Sequence, residues 1–171
     1  HVGGLLCSFP DCPGNREPIS CLERKSVRNL EIRNLLSGGI IANYHCPSYC
    51  GHCLYRCGPH RSADYVDYGM AVSLFKTVRK FGCHSVHIGG GEPLLRPGKL
   101  EAVLDAAREA RVGIDYVETN SAWYRDTQFA RETLERMRRH GLRALLVSIS
   151  PFHNERIPFF KTQGVLRAAQ E

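Results

Sequence analysis

Four cysteines and two histidines fall within the seventeen residues NYHCPSYCGHCLYRCGP, positions 43–59. Cys46 and Cys50 are separated by three residues, Cys50 and Cys53 by two, and Cys57 follows after three more. Thiols packed this densely point to a zinc ion, a pair of disulfides or an iron–sulfur cluster. A tetrahedral zinc site usually takes its cysteines in pairs, two residues apart, from two separate segments. Three cysteines in one loop, spaced x3 then x2, suit wrapping around three corners of a cubane [4Fe–4S] cluster instead. The fourth iron then lacks a protein ligand, and an open position is what catalysis needs, as it is at catalytic zinc.

The rest of the chain narrows these choices. All eight cysteines lie at or before Cys83, and a chain of 171 residues buries a core without crosslinks. Clustered thiols with no export signal favour metal ligation over a disulfide framework, and a reducing cytosol as the compartment. With 43% apolar and 23% charged residues the composition is that of a soluble globular protein, and no run is long enough for a membrane span. The net charge of +6 peaks at Arg136, Arg138, Arg139 and His140. Those cations fit a solvated helix C-terminus, and no interleaved aromatics point to nucleic acid. The chain opens on His1 and stops at Glu171 within a helical pattern, which reads as a piece of a longer protein.

The elements that must position the cysteines alternate in type. GGIIANY (38–44) reads as a strand entering the cysteine loop, and residues 64–81 as a helix with Met70, Ala71, Leu74, Phe75 and Val78 on one stripe, closed by Gly82. SVHI (85–88) is a second strand running into GGGEP. Pro97 opens a helix carrying Leu100, Val103, Leu104 and Ala107, with Gly113 just beyond its end. IDYV (114–117) is a third strand. Asp126 caps a helix carrying Phe129, Ala130, Leu134 and Met137, with Gly141 after it. ALLVSIS (144–150) is a fourth strand, and 159–171 a further helix. Four βα units predict a parallel sheet flanked by helices, and the continuous apolar strands predict burial on both faces. Residues 1–37 form a separate, turn-rich N-terminal extension with an amphipathic helix over 22–37. In parallel α/β sheets ligands sit at the carboxyl ends of the strands. The cysteine loop, Gly89 to Pro93, Thr119 with Asn120, and Ser148 with Ser150 all occupy such ends.

This combination resembles the radical S-adenosylmethionine (radical SAM) superfamily, over about residues 38 to 160. It rests on Cys46-x3-Cys50-x2-Cys53 after the first strand and GGGEP after the second. The resemblance implies a (β/α) partial TIM-type barrel, of which four of the usual six units are present, so that residues 38–171 are a core domain truncated at its C-terminus. It implies an enzyme in which Cys46, Cys50 and Cys53 hold a [4Fe–4S] cluster. One electron from that cluster cleaves S-adenosylmethionine (AdoMet) to a 5′-deoxyadenosyl radical, which takes hydrogen from a substrate. The substrate stays open, and a one-electron donor of the flavodoxin or ferredoxin type is the implied partner.

Carried over by position, Gly89, Gly90 and Gly91 bring backbone carbonyls to the methionyl ammonium and Glu92 supports that contact. Thr119, Asn120, Ser148 and Ser150 stand where the family contacts ribose and carboxylate. His52 precedes the third cysteine, where members usually carry an aromatic near the adenine, and Ser148-Ile149-Ser150 replaces the frequent Ser-x-Asp. The alternative is a non-catalytic ferredoxin-like or zinc-binding module in which Cys57 joins the other three as a ligand. Cys7, Cys12 and Cys21 leave a second metal centre open. Cys83 reads as a small buried hydrophobe, and His45, His60, His87 and His153 as solvated or core histidines.

Overall fold

The computed structural model describes residues 33–170. Along them run β1 (Gly39–Ile41), α1 (Tyr68–Lys80), β2 (Ser85–Gly89), a 3-10 turn (Pro93–Leu95), α2 (Pro97–Glu109), β3 (Gly113–Thr119), α3 (Thr127–Arg139), β4 (Leu145–Val147), α4 (Pro151–Asn154) and α5 (Phe159–Gln170). The four strands pair in parallel in the order β1-β2-β3-β4. Parallel neighbours need crossovers, and α1, α2 and α3 supply them. This is the expected α/β fold, four βα units of a partial (β/α) barrel.

Local chemistry sets the helix boundaries. Asp67 accepts from Met70 N at 2.9 Å and Asp126 from Phe129 N at 2.8 Å, each satisfying an orphan N–H of a first turn. Leu100, Val103, Leu104 and Ala107 of α2 are buried as expected. They pack with Phe75 of α1 and with Ile40, Val86, Ile88 and Val117 from one face of the sheet, forming the core.

Several expectations are corrected. On α1 the buried residues are Ala71, Val72 and Phe75, whereas Met70 and Leu74 are 56% and 42% exposed. The helix is turned by about one residue, because α2 packs along its Ala71–Val72–Phe75 line. Gly113 does not end α2. Arg111 makes that turn at φ 57°, and Gly113 begins β3. Residues 33–37 are not helical: Leu35 N donates to Phe81 O at 2.8 Å, which ties this stretch to the end of α1. The remainder of the 22–37 helix, with Cys7, Cys12 and Cys21, lies outside the described residues.

The fourth strand is also shorter than 144–150. Pro151 starts α4, and Ser150 caps it in extended conformation, as expected of a residue preceding proline. Burial on both faces does not hold either. Exposure alternates along β3, and Leu146 on β4 is 48% exposed. Among the described residues the helices cover one face only. His87, Glu118 and Leu146 lie half-buried or exposed on the other.

Candidate functional site

Past β1 the chain is clasped at the base of the cysteine loop, where Asn43 bridges Tyr65 and His45 bridges Gly58. Within the loop Cys53 N donates to Cys50 O at 3.1 Å and Arg56 N to Cys53 O at 3.2 Å. Cys46 and Cys57 are buried, and Cys50 and Cys53 half-buried. All four thiols, with His52, line a cavity of about 300 Å³. Its opposite wall comes from the other strand ends: Gly90 and Gly91, Thr119 and Asn120, and Ser148. Gly89, Glu92 and Ser150 do not line it.

The glycines are required by their neighbours. A Cβ on Gly90 would meet the backbone oxygen of Asn43, and one on Gly91 that of His45. Gly90 also adopts φ +137°, which disfavours any side chain. The approach is close because Gly91 N donates to Asn43 O at 2.9 Å and Glu92 N to His45 O at 3.0 Å. These bonds fasten the GGGEP turn to the approach of the cysteine loop. Gly91→Ala is therefore expected to cost about 2 kcal/mol or more, since backbone rather than a movable side chain blocks the methyl. Urea denaturation of the variant beside the wild type measures it.

Glu92 is fully buried, and its carboxylate is engaged from behind the cavity. Leu94 N donates to Oε1 at 3.2 Å, Asn120 N to Oε2 at 2.7 Å, and Thr119 Oγ1 lies 3.0 Å from both oxygens. Burial pushes the carboxyl up to about 7, against the opposing pull of those hydrogen bonds. Glu92 thus joins the end of β2 to the end of β3. The turn beyond β3 is equally constrained. Ser121 N and Trp123 Nε1 both donate to Thr119 Oγ1, at 3.1 and 2.9 Å, and Ala122 N donates to Asn120 Oδ1 at 3.0 Å. Ser121 is held at φ 66°, uncommon for a serine.

Two sulfurs of the loop receive polar contacts. Asn120 Nδ2 donates to Cys46 Sγ at 3.1 Å, Ser48 N to the same sulfur at 3.4 Å, and the Ser48 hydroxyl lies 3.0 Å from Cys50 Sγ. Burial pushes the Cys46 thiol up to about 11, and the Ser48 and Asn120 donors oppose it. Burial pushes Cys57 up to about 12, with its neighbour Cys53 adding to the rise.

The remaining candidates divide. The His52 ring packs on Phe152 and His153, with centroids 5.1 and 4.9 Å apart. The Ser150 hydroxyl lies 2.7 Å from His153 Nδ1, so it serves α4 rather than the cavity. His153, expected to be a solvated or core histidine, also lines the cavity, as do Ser48, Leu54, Tyr55 and Glu118, which the sequence did not single out. Glu118 is the second charge on β3, two residues before Asn120, and its Oε1 lies 3.6 Å from His87 Nε2. Burial holds the His153 imidazole below its ordinary value, and the His52 ring adds to this. Cys83 is buried as expected.

A larger cavity of about 670 Å³ runs along the free edge of β4, between Leu134, Leu145 and Leu166, and includes none of the candidate residues. Among the described residues no three His, Cys, Asp or Glu side chains are grouped as ligands of a single metal ion. No described helix is long and apolar enough to cross a membrane. The four loop cysteines line one shared cavity with the ends of the other strands.

The family model described as the radical SAM superfamily matches residues 40–168. The chain belongs to the radical SAM superfamily. No curated protein matches it. Among solved structures, Streptococcus suis SuiB bound to S-adenosylmethionine is 19% identical with a TM-score of 0.52, over 69% of this chain and 26% of that one. Native anSMEcpe with bound AdoMet is 19% identical with a TM-score of 0.54, over 80% of this chain and 41% of that one. HydG, a maturase of the [FeFe]-hydrogenase, is 10% identical with a TM-score of 0.52, over 80% and 34%. At these identities the likeness is one of fold, and the radical SAM chain described here spans less than half the length of each.

Proposed function

We propose that residues 38–171 are the core of a radical SAM enzyme, in which Cys46, Cys50 and Cys53 hold a [4Fe–4S] cluster and AdoMet binds in the cavity beside them. The observation that carries the reading is that the three cysteines share one cavity with Gly90, Gly91, Thr119, Asn120 and Ser148, the ends of all the other strands. When bound, the reduced cluster supplies the electron that cleaves AdoMet to a 5′-deoxyadenosyl radical, which takes hydrogen from a substrate.

The chain's own residues hold and shape this place. Gly90 and Gly91 let the turn close onto the backbone of Asn43 and His45 and leave backbone groups to meet the methionyl end of AdoMet, with Gly89 leading into the turn. Glu92 acts from behind, fixing Thr119 and Asn120. Those two side chains line the cavity with their polar ends already engaged by Glu92, Trp123 and Cys46. Ser148 and His52 remain for the nucleoside, and Ser150 contributes through His153, whose ring also faces the cavity. The partners we propose are a low-potential one-electron donor of flavodoxin or ferredoxin type and a substrate of undefined class, in a reducing cytosol.

One observation favours a second reading. Cys57 faces the same cavity, against Cys53, where a fourth ligand of a ferredoxin-like cluster or a zinc ion would sit. Anaerobic reconstitution with iron and sulfide tests the first reading. The expected product is brown and retains AdoMet in equilibrium dialysis. Colourless protein carrying one zinc per chain would overturn it.

A further inference from the structure

Asn120 directly follows β3, 74 residues from Cys46 in sequence, yet its side-chain amide reaches the sulfur of that cysteine directly. Nδ2 lies 3.1 Å from Cys46 Sγ. The orientation of the amide is fixed chemically, because its oxygen accepts from Ala122 N at 3.0 Å and only the NH2 end can then face the sulfur. The backbone is fixed as well, through Asn120 N to Glu92 Oε2 at 2.7 Å, and the residue is 9% exposed. Cys46 also receives Ser48 N, while the Ser48 hydroxyl stands 3.0 Å from Cys50 Sγ. Donors from two separate elements thus converge on Cys46, and the Ser48 hydroxyl is placed to donate to Cys50 when that sulfur is a thiolate.

Resting on the radical SAM reading of these cysteines, we propose that Asn120, with Ser48, is a positioning residue that acts through Cys46 and Cys50 to raise the reduction potential of the cluster they hold. An N–H or O–H directed at a ligating sulfur draws charge from it and favours the form carrying one more electron. Reduction adds a single electron from an external low-potential donor, and no bond forms or breaks at Asn120 or Ser48. The tight turn at Ser121 follows from the same requirement: it keeps the amide directed at the sulfur instead of at solvent or ligand.

The test is a dithionite titration of the reconstituted full chain, followed by EPR of the reduced cluster. Asn120→Leu, of similar size and without the donor, shifts the midpoint to a more negative potential with the iron retained. Asn120→Asp keeps the acceptor for Ala122 N but turns a carboxylate oxygen toward the sulfur, and shifts it further in the same direction. Ser48→Ala gives a smaller negative shift of its own. Midpoints equal to wild type in Asn120→Leu and Ser48→Ala overturn the proposal. If the Asn120 variants fail to retain iron, wild-type protein labelled with 15N at the asparagine side chains decides. A 15N hyperfine coupling to the reduced cluster supports the proposal, and its absence overturns it. A wild-type chain that takes up no iron–sulfur cluster at all fails the underlying reading, a result distinct from either.

Discussion

Serine at Cys50 is expected to remove most of the iron and all AdoMet cleavage in the complete enzyme, whereas serine at Cys57 leaves both in place. The argument is one of ligand count and position. A site of three thiolates that loses one keeps two, too few to hold a cubane firmly, so Cys46→Ser and Cys53→Ser share the fate of Cys50→Ser. Cys57 belongs to the return limb of the loop, beyond the turn that Arg56 makes at φ 49° and next to Gly58, which pairs with His45. Cys46 receives donors from Ser48 N and Asn120 Nδ2, and the Ser48 hydroxyl lies against Cys50 Sγ. Placing a hydroxyl at the buried Cys57 costs about 1–2 kcal/mol of stability, which shows in a melt but not in iron content. The ferredoxin-like reading gives the opposite ranking, since a fourth ligand is as necessary as the other three. Iron and sulfide assays on Cys57→Ser beside Cys50→Ser separate the two. Equal loss of the cluster in both removes the case for an open iron and for the radical chemistry built on it.

The sequence was most legible where one residue type carries one local physical meaning. Asp126 before α3 and Pro97 opening α2 act through their own backbones, and both were read correctly. The α1 stripe went astray because five apolar residues on adjacent helical positions leave the rotation to whatever the helix packs against, and α2 chose Val72 over Met70. The long apolar run at 144–150 suggested burial on both faces, but hydrophobicity alone does not say whether a neighbour covers each face, and Leu146 is exposed. Ser150 before Pro151 carried a readable capping signal that the apolar run overshadowed. In the site, the cysteines and glycines were visible because their spacing is unusual within one segment. The Asn120–Cys46 and Thr119–Glu92 bonds were not, because they join residues brought together only by strand pairing. Ser48 sits among the cysteines in plain view, but a serine between two cysteines has no meaning until its N–H and hydroxyl are seen to face their sulfurs.

Removing the Glu92 carboxylate is expected to produce the largest stability change outside the cysteines, and one that depends on pH. Glu92→Ala orphans Leu94 N, Asn120 N and the Thr119 hydroxyl in a fully buried place. Each unsatisfied buried donor costs about 1–3 kcal/mol, and partial relaxation leaves about 3 kcal/mol in total. For a chain of this size that lowers Tm by about 10 °C. The pH dependence follows from burial, which raises the carboxyl from its ordinary 4.5 to about 7. Between those two values the native state holds a proton that the unfolded state has released. The stability of the wild type therefore falls as pH rises through that window and levels off above it, by roughly 3 kcal/mol. Glu92→Gln keeps the shape and one acceptor oxygen but has no proton to lose, so its stability stays flat over the same range. The gap between wild type and Glu92→Gln is thus widest near pH 4.5 and narrowest above pH 7. Urea denaturation of both proteins from pH 4.5 to 8 measures it, and parallel curves would show that Glu92 is ionised in the fold throughout, held so by the donors of Leu94, Thr119 and Asn120 against the cost of burial.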